Sequence, residues 1–212
     1  MGYRILAELA ALPVKPGARD GHVMVEDPRW GGYLANVGSE AFRRYAPDVP
    51  EHLHGDVFLT RYGGTTDLVT RVEPSRRYAV RTPAAHPVHE HERVTEWAQQ
   101  LRRVPDPARL GSLMYDSHAS YSACGLGSEG TDRIVALARA AGVSRGIYGA
   151  KITGGGSGGT VAVLAHAGAR DVIRGIADRY AEETGRDAYV FEGSSPGAAT
   201  VGAVRLEPHA QD

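Results

Sequence analysis

The sequence reads as an α+β sandwich, with helices on one face of a mainly antiparallel sheet. Three observations predict this class. From residue 131 onward the pattern runs helix, strand, strand, helix, strand, strand. The apolar period changes from helical to alternating near Ile147. Between two short segments rich in small and β-branched residues sits "GGGSGG", residues 154–159, which holds five of the chain's 27 glycines. A glycine run in that setting closes a hairpin; it does not open a helix.

The elements follow in chain order. Residues 3–12 are apolar and helix-prone but start without a capping residue, as the tail of a longer helix would. Residues 13–83 are irregular and rich in Pro and Gly, with a short helix expected near 39–45 and a strand near 78–81. Residues 86–104 form a helix in which Val88, Val94, Trp97 and Leu101 recur at helical spacing. A second helix spans 105–125: Asp106 caps it, Pro107 suits its first turn and Gly125 closes it. Its buried stripe is Leu110, Leu113, Met114, Ser117, Tyr121 and Cys124. A third runs from a Thr131 cap to a Gly142 stop. Strands follow at 147–153 and 160–164, then a helix over 169–185 that buries Val172, Ile173, Ile176 and Tyr180. Two closing strands, 188–193 and 200–208, flank the turn 194–199.

Composition narrows the function. At 212 residues the chain can bury a substantial core, and 42% hydrophobic with 23% charged residues is ordinary for a globular protein. A net charge of −1 argues against a nucleic-acid partner. No apolar run reaches membrane-spanning length, and the N-terminus does not match a signal peptide, so a cytoplasmic location and no membrane partner are expected. The single cysteine, Cys124, excludes an internal disulfide and a thiolate zinc cluster.

The glycine run matches three familiar patterns by composition. Gly154, Gly156 and Gly159 satisfy the dinucleotide fingerprint, but that loop must open a helix, and this one opens the strand "TVAVL". Gly154 and Gly159 have the spacing of a phosphate-binding P-loop, yet Thr160 stands where its Lys belongs. Residues 155–159 fit a nucleophile elbow, which also needs a helix behind it. What survives is a side-chain-free loop between antiparallel strands. Such a loop is either a nest for an anion, a close packing of backbone on backbone, or a flexible tip.

Four separated segments then carry a resemblance. "YGAKITGGGSGGTVAVL" resembles the third motif of the GHMP kinases. "RTPAAHPVHEHERV" is similar to a galactokinase segment in which an Arg, a His and a Glu precede an Arg-Val pair. "LGSLMYDSHASYSACGLGSEGTDRIVALA" is similar to the galactokinase "SHxSL" helix and the helix start after it. "VFEGSSPGA" completes an order that resembles the L-arabinokinase branch. The likeness covers residues 76–207 well and 28–75 loosely. It implies a C-terminal kinase domain of ferredoxin-like, two-layer α+β fold at 76–212, preceded over 1–75 by a linker-like, partly helical remnant of the kinase middle region. The family's nucleotide loop, catalytic Asp and acidic sugar site precede the matched region and have no counterpart here. The chain is therefore expected to be a fragment, a split subunit or a repurposed remnant.

Roles follow from the resemblance. Gly154, Gly155, Gly156, Ser157, Gly158 and Gly159 are expected to lie against the first half's nucleotide loop and the transferring phosphate. No catalytic residue is assigned, because the base belongs to the missing half. Lys151, Thr160, His118 and Ser195 are possible substrate or phosphate contacts. Each has a plainer reading: a solvated strand lysine, turn hydroxyls, and a helix histidine packed against its neighbours. His86, His89 and His91 with Glu90 and Glu92 do not share one helix face, so no metal site is assigned. Glu129 and Asp132 suit the N-terminus of the third helix. The implied function is half of an ATP-dependent sugar 1-kinase that uses ATP and Mg²⁺ when complete and is inactive alone. The alternatives are a non-catalytic sugar- or phosphosugar-binding module, or one subunit of a split kinase. A homodimer is expected to cover the exposed interface.

Overall fold

The computed structural model describes residues 1–193 together with Pro196, Thr200 and Gly202. Helices and small antiparallel sheets make up the fold, as expected. No helix among the described residues is long and apolar enough to cross a membrane.

The first 80 residues hold more regular structure than their composition suggested. α1 (Gly2–Leu9) leads to β1 (Val14–Pro16) and β2 (Gly21–Val25), then α2 (Ser39–Tyr45), β3 (His52–His54), α3 (Gly55–Tyr62), β4 (Gly64–Thr65) and β5 (Arg77–Ala79). β1 and β2 pair antiparallel, β4 adds parallel to β2, and β3 pairs antiparallel with β5. Strands of two to five residues are too short to display an alternating pattern, which is why the sequence reads as irregular here. These elements share a core. Ile5, Leu6, Phe42, Val49, Phe58, Val80 and Val88 are all buried in one cluster.

α4 (Arg81–Leu101) carries Pro87 within its second turn. Its expected apolar stripe is only partly buried. Val88 is fully enclosed, but Val94 is 57% and Leu101 59% exposed. α4 buries Ala84 and Val88 near its start, where α1 crosses it, and its C-terminal half runs past the core.

α5 (Pro107–Ala123) begins as predicted, with the Asp106 carboxylate accepting the N–H groups of Ala108 and Arg109. Leu110, Gly111, Leu113, Met114, Tyr115, Ser117 and His118 form its buried face. α6 (Glu129–Ala141) is capped by Ser128 and not by Thr131: the Ser128 hydroxyl accepts the Thr131 N–H at 3.3 Å. The helix starts three residues earlier than expected because this serine, three positions ahead of Thr131, offers the oxygen. Gly142, at φ +68°, ends it.

β6 (Ile147–Thr153) and β7 (Thr160–Ala165) form an antiparallel hairpin in register from Thr153↔Thr160 to Gly149↔Leu164. α7 (Arg170–Thr184) ends at Gly185 in the left-handed region. α5 and α6 pack on β6, and α7 lies beside α6. Tyr115, Val135, Ala138, Ile147, Ala150, Ala169 and Ile176 close this second core. Residues 188–193 form no strand. Tyr189 and Phe191 stack edge to face at 4.6 Å, each 79% exposed. The expected partner, 200–208, and the turn 194–199 lie outside the described residues apart from Thr200, Gly202 and Pro196.

One contact fixes how close α5 sits. A Cβ placed on Gly111 would collide with the Tyr148 carbonyl, and one on Gly149 with the Gly111 backbone. Helix and strand meet main chain to main chain, directly behind the hairpin.

Candidate functional site

The glycine run folds back onto the molecule. Gly154, Gly156, Ser157, Gly158 and Gly159 all take positive φ, between +62° and +122°. L-residues rarely adopt this region, so the composition follows from the shape. Tyr121 at the end of α5 donates its hydroxyl to the Gly154 carbonyl at 3.2 Å. Ser157 N–H donates to the Leu126 carbonyl at 2.7 Å. Gly156 presses on the same turn: a Cβ there would lie 2.8 Å from the Leu126 carbonyl oxygen and 3.0 Å from the Tyr121 ring. The loop is therefore docked between the end of α5 and the start of α6.

Its other face is open. A Cβ on Gly154, Gly155 or Gly159 would meet nothing within 4 Å. These three positions have room for side chains and carry none. A second body can approach that bare backbone closely.

Beneath the hairpin lies a half-buried ionic cluster. Glu90 of α4 accepts Ser117 Oγ at 2.7 Å and Lys151 Nζ at 3.2 Å on one oxygen, and Arg93 Nε at 2.7 Å on the other. Burial pulls the Glu90 carboxyl upward, but the Ser117 and Arg93 hydrogen bonds and the neighbouring cations outweigh it and hold the group below the ordinary glutamate range. Lys151 is thus not a free edge lysine: its ammonium lies 3.2 Å from Glu90.

His118 is buried, as a packed helix histidine should be. Its Nδ1 accepts the Ile152 N–H at 3.3 Å and its Nε2 lies 3.3 Å from Asp132 Oδ1. Thr160 is exposed at the start of β7, and its carbonyl accepts the Thr153 hydroxyl. Gly159 and Thr160 also border an apolar groove of about 780 Å³ between β7, α7 and residues 187–192. Ser195 falls outside the described residues. The histidines of α4 diverge: His86 bonds Ser120 at 2.8 Å, His89 faces Phe42 and Glu92, and His91 is exposed.

With the docked hairpin and its open face defined, the similarity to known proteins can be placed. Residues 97–182 match the family model of the GHMP kinases C-terminal domain. They are a GHMP kinase C-terminal domain. The chain is 36% identical to an L-arabinokinase of Arabidopsis thaliana over 97% of its own length and 22% of that protein. It is 30% identical to a galactokinase of Fusobacterium nucleatum over 65% of its length and 33% of that protein. Among solved structures, a galactose complex of Lactococcus lactis galactokinase aligns with TM-score 0.45 and 20% identity, covering 83% of this chain and 43% of that one. The chain is thus homologous to arabinokinase and galactokinase and spans about a fifth to a third of the curated relatives it matches.

Within this GHMP kinase domain, the sequence reading located the hairpin but not its dock. Tyr121 was assigned to a core stripe, and it instead supports the loop from a half-buried position. Leu126 bonds the loop through its carbonyl, which no side-chain pattern can reveal. Asp132 was assigned to the helix terminus. It also receives the Ser122 hydroxyl at 3.2 Å and faces His118.

Proposed function

We propose that this domain supplies the glycine hairpin to the phosphate and sugar cleft of an ATP-dependent sugar 1-kinase of the arabinokinase or galactokinase kind. The observation that carries the reading is the two-sided hairpin: one side held by Tyr121 and Leu126, the other bare at Gly154, Gly155 and Gly159. Positive φ accounts for glycine at 154 and 159, but Gly155 has neither a positive φ nor a neighbour within 4 Å of a Cβ, so packing and backbone shape leave its bareness unexplained. A flexible tip would have no reason to be docked.

In such a reaction ATP supplies the phosphoryl group that passes to a sugar hydroxyl, and the protein contributes position and charge. Here the hairpin's own contribution is geometric. Its rigid, side-chain-free backbone lets a phosphate, or the main chain cradling one, come within hydrogen-bond distance. Among the described residues no group of three His, Cys, Asp or Glu side chains could hold a metal ion. In the complete kinase Mg²⁺ would enter with the nucleotide. No residue around the hairpin is placed as a base. The chain alone is accordingly inactive, and self-association would cover apolar side chains such as Val94 and Leu101.

The test is a radiometric assay of the 212-residue chain with ATP and L-arabinose or galactose, alone and mixed with the first half of an L-arabinokinase. Turnover only in the mixture is expected. Turnover by the chain alone refutes the division of labour, and sugar binding without ATP by calorimetry favours a binding module.

A further inference from the structure

The glycine hairpin is tied to the molecule at its tip by Tyr121 and Leu126, and at its root by one imidazole. Ile152 lies one residue inside the end of β6, immediately before the loop, and gives its N–H to Nδ1 of His118. A nitrogen that accepts a hydrogen bond carries no proton, so the proton of the neutral ring sits on Nε2. Nε2 lies 3.3 Å from Oδ1 of Asp132, in the first turn of α6. The same carboxylate oxygen takes the Ser122 hydroxyl, and Gly127 lies so close that a Cβ there would be 2.7 Å from Ser122 Oγ and 3.0 Å from Asp132 Oδ1. α5, the turn 124–128, α6 and β6 thus converge on a single buried ring.

We infer that His118, neutral and protonated on Nε2, is the positioning residue of the glycine hairpin, and that a second proton on the ring releases the hairpin from its dock. The step is a proton gain alone. Once Nδ1 is protonated, two N–H groups face each other, and the Ile152 bond is replaced by a repulsion. Asp132 still holds Nε2, so the ring stays and the strand end moves. Because Ile152 lies two residues before the loop and Ser157 within it, the Ser157–Leu126 bond is the first to feel that movement.

The charged groups around His118 are Asp132 and Arg139 of α6 and Lys151 of β6, itself held by Glu90 of α4. Burial is the largest influence and lowers the imidazole's proton affinity; Asp132 raises it, while Arg139 and Lys151 lower it further. The balance favours the neutral ring that the hydrogen bonds require. Release therefore begins below the ordinary histidine range. This inference concerns the shape of the loop and stands whether or not the cleft binds phosphate.

The experiment is NMR on the uniformly ¹⁵N-labelled 212-residue chain. Imidazole ¹⁵N spectra at about pH 7.5 report the tautomer, and amide exchange of Ser157 is followed down to about pH 5, corrected for intrinsic exchange. Expected are a protonated Nε2 with a bare Nδ1, and a loss of Ser157 protection of at least about tenfold that tracks the His118 titration. Protection in α7 should hold through the same range, and His86 is resolved in the same spectra. In His118→Gln the pH step disappears. A proton on Nδ1 at neutral pH, Ser157 protection that ignores the titration, or the same step in His118→Gln each overturns the inference. Should that variant not fold, the wild-type tautomer and titration decide it.

Discussion

Adjacent glycines of the hairpin make opposite predictions, and Gly156→Ala against Gly155→Ala is the sharpest pair. At Gly156, φ is +89° and the new methyl would sit 2.8 Å from the Leu126 carbonyl oxygen, 3.0 Å from the Tyr121 ring and 3.1 Å from Leu126 Cβ. The left-handed conformation costs an alanine about 1–2 kcal/mol, and forced packing about 1–3 more. The chain need not bear all of this, because the loop can leave its dock. Undocking forfeits two hydrogen bonds, Ser157 N–H to Leu126 and Tyr121 Oη to Gly154, worth about 1 kcal/mol each. The loss is therefore capped near ~2 kcal/mol, a fall in Tm of about 4–8 °C for a chain of this size. At Gly155 the methyl meets nothing and φ is not positive, so stability should stay within about 0.5 kcal/mol. Thermal unfolding by circular dichroism reads both, and Ser157 amide exchange reports the dock directly. Equal Tm for Gly156→Ala and wild type, with Ser157 protection intact, would refute a docked loop.

Three further outcomes follow from the same structure. Gly111→Ala places a methyl into the Tyr148 carbonyl, which neither helix nor strand can avoid by a side-chain rotation. It should lower stability by about 1–3 kcal/mol in chemical denaturation and broaden resonances along β6. Glu90 is held below its ordinary range when folded, so its contribution is complete above the unfolded glutamate value and is lost as pH falls through the folded one. Glu90→Gln should flatten that acid limb of a Tm-against-pH curve, whereas burial of the neutral imidazoles of His118 and His86 costs stability from about pH 6.5 downward in both proteins. Asp106→Ala removes the cap of α5 and should cost about 1 kcal/mol in the same denaturation assay.

Much of the second half was legible in the residues. Asp106, Pro107 and Gly125 bracket α5, Gly142 and Gly185 stop α6 and α7, and the change of period at Ile147 locates the hairpin; all are local signals that survive into the fold. Where the reading departed, the cause was non-local. Thr131 and Ser128 are both residues that can cap a helix, and only the path of the preceding turn decides for Ser128. Val94 and Leu101 have helical spacing, yet spacing cannot say whether anything covers a face. Residues 188–193 have strand composition, but their expected partner, 200–208, lies outside the described residues apart from Thr200 and Gly202. The site divides the same way. The glycines were visible, while their dock is made of a carbonyl at Leu126 and a tyrosine that reads equally well as core. Lys151 reads as a solvated edge residue because its partner, Glu90, lies 61 residues away.

The central claim is that the hairpin's bare side is kept open for phosphate. Its most direct measurement is amide exchange at Gly154, Gly155 and Gly159 in the 212-residue chain mixed with the first half of an L-arabinokinase, with and without a non-hydrolysable ATP analogue. These three amides should gain protection only when both are present, with Ser157 protected throughout. A mixture that phosphorylates sugar while the three amides exchange as freely as in the isolated chain would contradict the account.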